Sequence, residues 1–149
     1  MPNIDGLRSP HDKVGRLVYF GRMLDKIRLH AAGKLPPDYV TNLGETNPRV
    51  FDARCCRFLG IRHAELVART AQGGSDEEIL AWAQAHGTPR TDEDCAIWNA
   101  YMAKLGLRDE ISDRLKLRVA EYGLTDRGVA TFFDLIEADE GRPTGRRCG

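Results

Sequence analysis

The chain has no apolar run near the roughly 20 residues that span a bilayer, which excludes a membrane-crossing helix. It has no charge of one sign to spare either: 22 Lys and Arg stand against 22 Asp and Glu. Without a net field nothing steers it onto nucleic acid or an anionic membrane, and neither partner is expected. Its four cysteines and four histidines lack the spacing that metal chemistry needs. Cys55 and Cys56 are adjacent, Cys95 and Cys148 stand alone, and no Cys-x-x-Cys or His-x-x-x-His pair occurs. A metal ion wants ligands at such spacings, so no metal and no cofactor are expected. The start, Met-Pro-Asn-Ile-Asp-Gly, offers neither basic leader nor apolar core, and the expected location is cytoplasmic. Strand alternation over several residues is also missing.

What is present is helical period with clear punctuation. At 149 residues the chain suits one domain, expected over 1–141 with a flexible basic tail over 142–149. Ser9-Pro10-His11-Asp12 reads as a cap with proline in the first turn, and the spacing predicts a first helix over 10–32 closed by Gly33. Residues 34–47 read as a connection with one helical turn, followed by helices over 48–60 and 62–71. Ser75-Asp76-Glu77-Glu78 and Thr91-Asp92-Glu93-Asp94 are capping boxes that open helices ending at Gly87 and Gly106. Helices over 109–122 and 126–138 complete an all-α fold, a single compact orthogonal assembly of six to eight short helices.

Most candidate groups have a plain packing reading. Cys55 shares a helical face with Phe51 and Phe58, and Cys95 shares one with Trp98 and Met102, so both are expected in the core. His30 and His86 lie near helix ends, where an imidazole caps free carbonyls; His11 and His63 are expected to face solvent. The last helix departs from the rule that cations suit a C-terminus. Asp134, Glu137, Asp139 and Glu140 crowd its end, either as a solvated acidic face paired with neighbouring arginines or as a functional site.

Asp25 is the sharpest anomaly. On a helix it falls within the apolar stripe, and a buried carboxylate requires a cationic partner. Arg22 and Arg28 are the nearest candidates. Asp25 is then either a structural ion pair or the candidate catalytic base of a sheltered cleft. Arg22 and Lys26 would supply cationic groups there, Tyr39 the covering loop, and Trp98 and Asn99 an aromatic wall with a directed amide.

The strings Gly-Arg-Met-Leu-Asp-Lys-Ile-Arg (21–28), Gly-Lys-Leu-Pro-Pro-Asp-Tyr (33–39), Arg-Phe-Leu-Gly (57–60), Ser-Asp-Glu-Glu-Ile-Leu-Ala-Trp (75–82) and Trp98-Asn99 resemble a bacterial family known as domain of unknown function 5069. The resemblance runs from Leu7 to Pro143. It implies a small stand-alone bacterial protein and carries no catalytic residue or cofactor with it. Two functions of different class remain: binding or transforming a small anionic molecule beside the first helix, or a protein-protein interaction module, for example a homodimer, without catalysis.

Overall fold

The computed structural model describes residues 4–147. It is built from helices, as expected, with one small departure at the start. Residues Lys13–Val14 (β1) and Leu17–Val18 (β2) form an antiparallel hairpin, paired Lys13 to Val18 and Val14 to Leu17. Eight helices follow among the described residues: α1 Phe20–Ala31, α2 Pro37–Val40, α3 Phe51–Leu59, α4 His63–Ala71, α5 Asp76–His86, α6 Asp92–Lys104, α7 Ser112–Glu121 and α8 Phe132–Asp139. None is long and apolar enough to cross a membrane.

The hairpin corrects the expected helix over 10–32, whose first ten residues are not helical. Val14, Leu17 and Val18 fit a helical stripe on paper, but they fit a hairpin as well, and long-range partners decide between the two. Asn99 on α6 accepts the Val18 amide through Oδ1 at 3.0 Å and donates Nδ2 to the Arg16 carbonyl at 2.8 Å. Trp98 Nε1 donates to the Val18 carbonyl at 3.3 Å. Two adjacent side chains thus satisfy backbone groups of the hairpin that would otherwise be buried without partners. Gly15 takes the tight turn with φ +57°, a conformation glycine adopts at no steric cost.

Tyr19 then turns the chain into α1 from a left-handed conformation, φ 73°. For a non-glycine residue that costs on the order of 1–3 kcal/mol and persists only where surroundings enforce it. Its amide donates to the Pro10 carbonyl at 3.0 Å, and its hydroxyl is tied deep in the interior as described below.

The two capping boxes are formed as expected. Ser75 and Glu78 exchange bonds at the start of α5, and Thr91 and Asp94 at the start of α6. The last helix begins later than the expected residue 126, because Thr131 Oγ1 caps it by accepting the Asp134 amide at 3.1 Å. The main core gathers Phe20, Met23, Leu24 and Ile27 of α1 with Leu59, Leu66, Ile79, Met102 and Phe133. Cys55 and Cys95 lie in it, as expected. A smaller cluster of Leu115, Leu124, Leu135 and Ala138 joins α7 to α8.

His11 and His63 are corrections: both are buried rather than solvent-facing. His11 packs edge-on against Phe133 with ring centroids 4.9 Å apart, and burial lowers the pKa of both imidazoles. The segment after Gly141 meets the body at several points. Arg142 donates to the Leu7 carbonyl at 2.6 Å, the Gly145 amide to Asp134 at 2.9 Å, and Arg146 pairs with Asp12 at 2.8 Å. Cys148 lies outside the described residues.

One close approach is testable. A Cβ on Gly87 would collide with the backbone carbonyls of Leu59 and Gly60 and with Ile61. Backbone cannot swing aside as a side-chain tip can, so Gly87→Ala is expected to cost about 1–3 kcal/mol as an overpacked contact, read as a lowered midpoint in urea unfolding.

Candidate functional site

Two adjoining turns of α1 send their polar side chains into separate ion-pair networks. Asp25 turns toward the N-terminal segment. It accepts the Arg8 amide at 3.0 Å and the Arg8 guanidinium at 2.8 and 2.9 Å, with Arg28 farther off at 3.9 Å. Asp76 at the start of α5 completes the group, bridging Arg8 at 2.7 Å and Arg28 at 2.8 Å. Two arginines and two aspartates balance, with every carboxylate bonded. Arg28 was one expected partner of Asp25; the main one, Arg8, lies 17 residues upstream. Asp25→Asn is expected to lose about 1.5–3 kcal/mol, the worth of hydrogen bonds to a charged group, measured by chemical denaturation. A loss under about 0.5 kcal/mol would show the network to be incidental.

Arg22 and Lys26 enter other networks. Arg22 is held by Glu140, the residue that caps the end of α8, in a two-pronged pair at 2.9 and 2.6 Å, and donates a third bond to the Arg8 carbonyl at 3.0 Å. Both side chains are almost wholly enclosed, 4% and 2% exposed. Glu140 also receives the Tyr39 hydroxyl at 2.9 Å and Arg142 at 2.7 Å. Burial alone would raise its carboxyl pKa, but the bonds from Arg22, Arg142 and Tyr39 outweigh it and hold the carboxyl below its usual range. Burial and the adjacent Glu140 charge push the Tyr39 phenol up, so it stays a neutral donor.

Lys26 is the centre of a second group. Its Nζ lies 3.0 Å from Asp52, 2.8 Å from the Asn42 carbonyl and 3.5 Å from the Tyr19 hydroxyl. Asp52, fully buried on α3, also accepts the Tyr19 hydroxyl at 2.7 Å and the Gly44 amide at 2.9 Å. His63 Nε2 stands 4.0 Å from the same carboxylate. Desolvation pulls the Lys26 amine below the ordinary lysine range even with Asp52 beside it.

These two groups form one wall of a cleft of about 780 Å³ bounded by α1, α2, α3, α7 and α8. Tyr19, Arg22, Lys26, Tyr39 and Glu140 are its polar inner side. Phe51, Ile111, Phe132 and Ile136 supply apolar surface, and Arg49, Arg54, Arg114 and Arg118 add four guanidinium groups. Six cationic side chains and three acidic ones, Asp38, Asp139 and Glu140, line it. In a chain of zero net charge this excess is local to the cleft.

Of the six residues singled out from the sequence, Arg22, Lys26 and Tyr39 line the cleft together. Asp25, Trp98 and Asn99 do not. Trp98 stacks on Phe58 with centroids 4.7 Å apart, and Asn99 is occupied by the hairpin. Sequence reasoning missed Arg8, Tyr19, Asp52 and the outer arginines. Asp52 had the same signal as Asp25, a carboxylate in the buried stripe shared with Cys55, Cys56 and Leu59. Glu140 was flagged by its helix position; its pairing with an arginine of a neighbouring helix and with one beyond Gly141 is as expected, and its burial is not, since the expected acidic face was solvated.

Among the described residues no group of three or more His, Cys, Asp or Glu side chains could hold a metal ion. The three buried cysteines are free, and desolvation pushes the Cys56 thiol up to about 12, which removes it as a thiolate nucleophile near neutrality. The arrangement is suited to holding a charged ligand in a partly apolar cleft. No curated protein matches the chain. The family model described as a domain of unknown function, DUF5069, matches residues 4–142, and the chain belongs to that family.

Proposed function

We propose that the protein binds a small organic anion in the cleft beside α1. The observation that carries this reading is the concentration of six cations against three acids around 780 Å³ of partly apolar space in a chain whose formal net charge is zero. That volume is of the order typical for small-ligand sites, which combine apolar walls with a few placed polar groups. Arg22, Lys26 and Tyr39 form the inner polar wall, each fixed by a buried partner, so the site is organised before the ligand arrives. The alternative, an interaction module, rests on exposed apolar side chains such as Ile97 and Leu117, which any protein surface carries.

A thermal-shift screen against carboxylates, phosphates and sulfonates tests the reading. A ligand at about 100 times its Kd stabilises the folded state by about 2.7 kcal/mol, several degrees for a chain of this size. Ile136→Trp, which fills the cleft from a partly exposed position, should abolish the shift. A panel with no hit, or hits that persist in the filled variant, rejects the proposal.

A further inference from the structure

The inner and outer cations of the cleft are in different electrical states. Arg22 is spent on Glu140 and a backbone carbonyl, and Lys26 on Asp52 and another carbonyl. A ligand that displaced either pairing would leave a buried carboxylate without the cation that faces it from α1, a cost that binding would have to offset. The outer arginines differ. Arg49 and Arg114 are exposed and have no carboxylate within ion-pair distance among the described residues. Arg54 donates only to neutral acceptors, the Arg49 carbonyl at 3.0 Å and the Tyr101 hydroxyl at 2.9 Å. Arg118 shares the half-exposed Glu121 at 3.0 Å.

Arg114 and Arg118 stand one turn apart on α7 and so project from the same face, while Arg49 and Arg54 come from the start of α3 and the loop before it. Four guanidinium groups therefore border one cleft with one direct ion pair among the described residues, that of Arg118 with Glu121, while Asp38 and Asp139 line the same cleft. Beside them lie the Phe51 and Phe132 rings, edge to face at 6.2 Å, and the half-exposed ring of Tyr122.

Resting on the small-anion reading above, we infer that the ligand is a phosphate monoester with an aromatic or apolar body, its phosphoryl group held by Arg49, Arg54, Arg114 and Arg118 and its body laid on Phe51, Phe132 and Tyr122. A carboxylate has one charge and two acceptor oxygens. A phosphate monoester has about −1.5 to −2 charges near neutrality and three acceptor oxygens, enough to engage several arginines at once. Arginine suits such multidentate recognition better than lysine does, and no lysine lies in this outer group.

Calorimetric titration of the full chain with phenyl phosphate, inorganic phosphate and benzoate tests this. Phenyl phosphate should bind at least about tenfold tighter than either of the others, a difference of about 1.4 kcal/mol, and should weaken as salt is raised. Arg49→Ala/Arg114→Ala should weaken it at least about tenfold at an unchanged melting temperature. If that variant melts early, Arg114→Lys keeps the charge, removes the fork and should weaken binding in the same direction. Benzoate binding as tightly as phenyl phosphate would overturn the phosphate assignment and leave the cleft reading standing. Inorganic phosphate binding as tightly would remove the apolar body from it. Unchanged affinity in the arginine variants would displace the phosphoryl group from this rim. Failure of all three probes, with no response in the wider screen, would overturn both readings.

Discussion

Replacing Glu140 by glutamine is expected to destabilise the fold by about 3–5 kcal/mol, because it leaves the enclosed Arg22 guanidinium without its counter-charge. For a chain of this length that lowers the melting temperature on the order of 10 °C. The loss measures the penalty of an orphaned buried charge, not the worth of the pair. Removing both charges is therefore expected to be far milder: Arg22→Met/Glu140→Leu should recover at least about half of the loss, as apolar replacement of buried pairs commonly does. Denaturation of the three variants side by side checks this, and a double variant no better than the single would assign the cost to Tyr39 and Arg142 instead.

The same carboxylate predicts an acid limb. Its folded pKa lies below the ordinary value of 4.5, so its stabilising effect is fully present above that value and is lost as pH falls through the folded pKa. His11 and His63, held below 6.5 by burial, act in the same direction but earlier, since the unfolded chain takes up their protons first. Glu137, raised by burial, opposes them: its share is present at low pH and fades as pH rises. Native protein should lose stability below about pH 6 and again below about pH 4.5, and Glu140→Gln should shrink only the second step, to which Asp76, also held below its ordinary value, still contributes. A variant whose lower step matches the native one would show that Glu140 is not the group responsible.

How much of this could be read from the residues depends on the distance over which each feature is decided. The capping boxes at Ser75 and Thr91 are local, with the whole signal inside four residues, and both helices begin where the sequence places them. The hairpin was illegible because Val14, Leu17 and Val18 suit either period. The vote was cast by Asn99 and Trp98, about 80 residues away. Asp25 was legible as a buried carboxylate, and its main partner was not, since the arginine reaching it lies on an irregular segment whose path the sequence does not give.

The cleft follows the same division. Arg22, Lys26 and Tyr39 stood out as polar groups near α1, but the residues that make them a site, Glu140 and Asp52, lie 118 and 26 positions away from their partners. Composition hid the outer arginines as well: with as many acids as bases overall, local excess appears only once the chain is folded.

Asp52→Asn is expected to be as damaging as the loss of Glu140, about 3–5 kcal/mol for a fully buried ion pair, with a consequence that reaches the cleft. Asp52 joins three parts of the chain: Tyr19, whose left-handed backbone needs enforcing, Lys26 of α1, and the Gly44 amide in the loop whose Thr41, Asn42 and Asn47 line the cleft. An asparagine matches the shape but leaves the Lys26 ammonium without a negative neighbour, and one of its two oxygens becomes an amide donor facing the groups that previously donated to it. Lys26 also holds the Asn42 carbonyl, so losing Asp52 slackens the loop at two adjoining points. Hydrogen exchange at Gly44 is expected to accelerate by more than the global destabilisation accounts for, as it does where a loop opens locally. Lys26→Met/Asp52→Asn should restore part of the global stability while leaving that local exchange fast. Fast exchange reports the loop and stability reports the ion pair, so the two variants separate what Asp52 does for the fold from what it does for the cleft. Equal protection at Gly44 in native and variant proteins would show the loop to be held by Tyr39 and Glu140 alone.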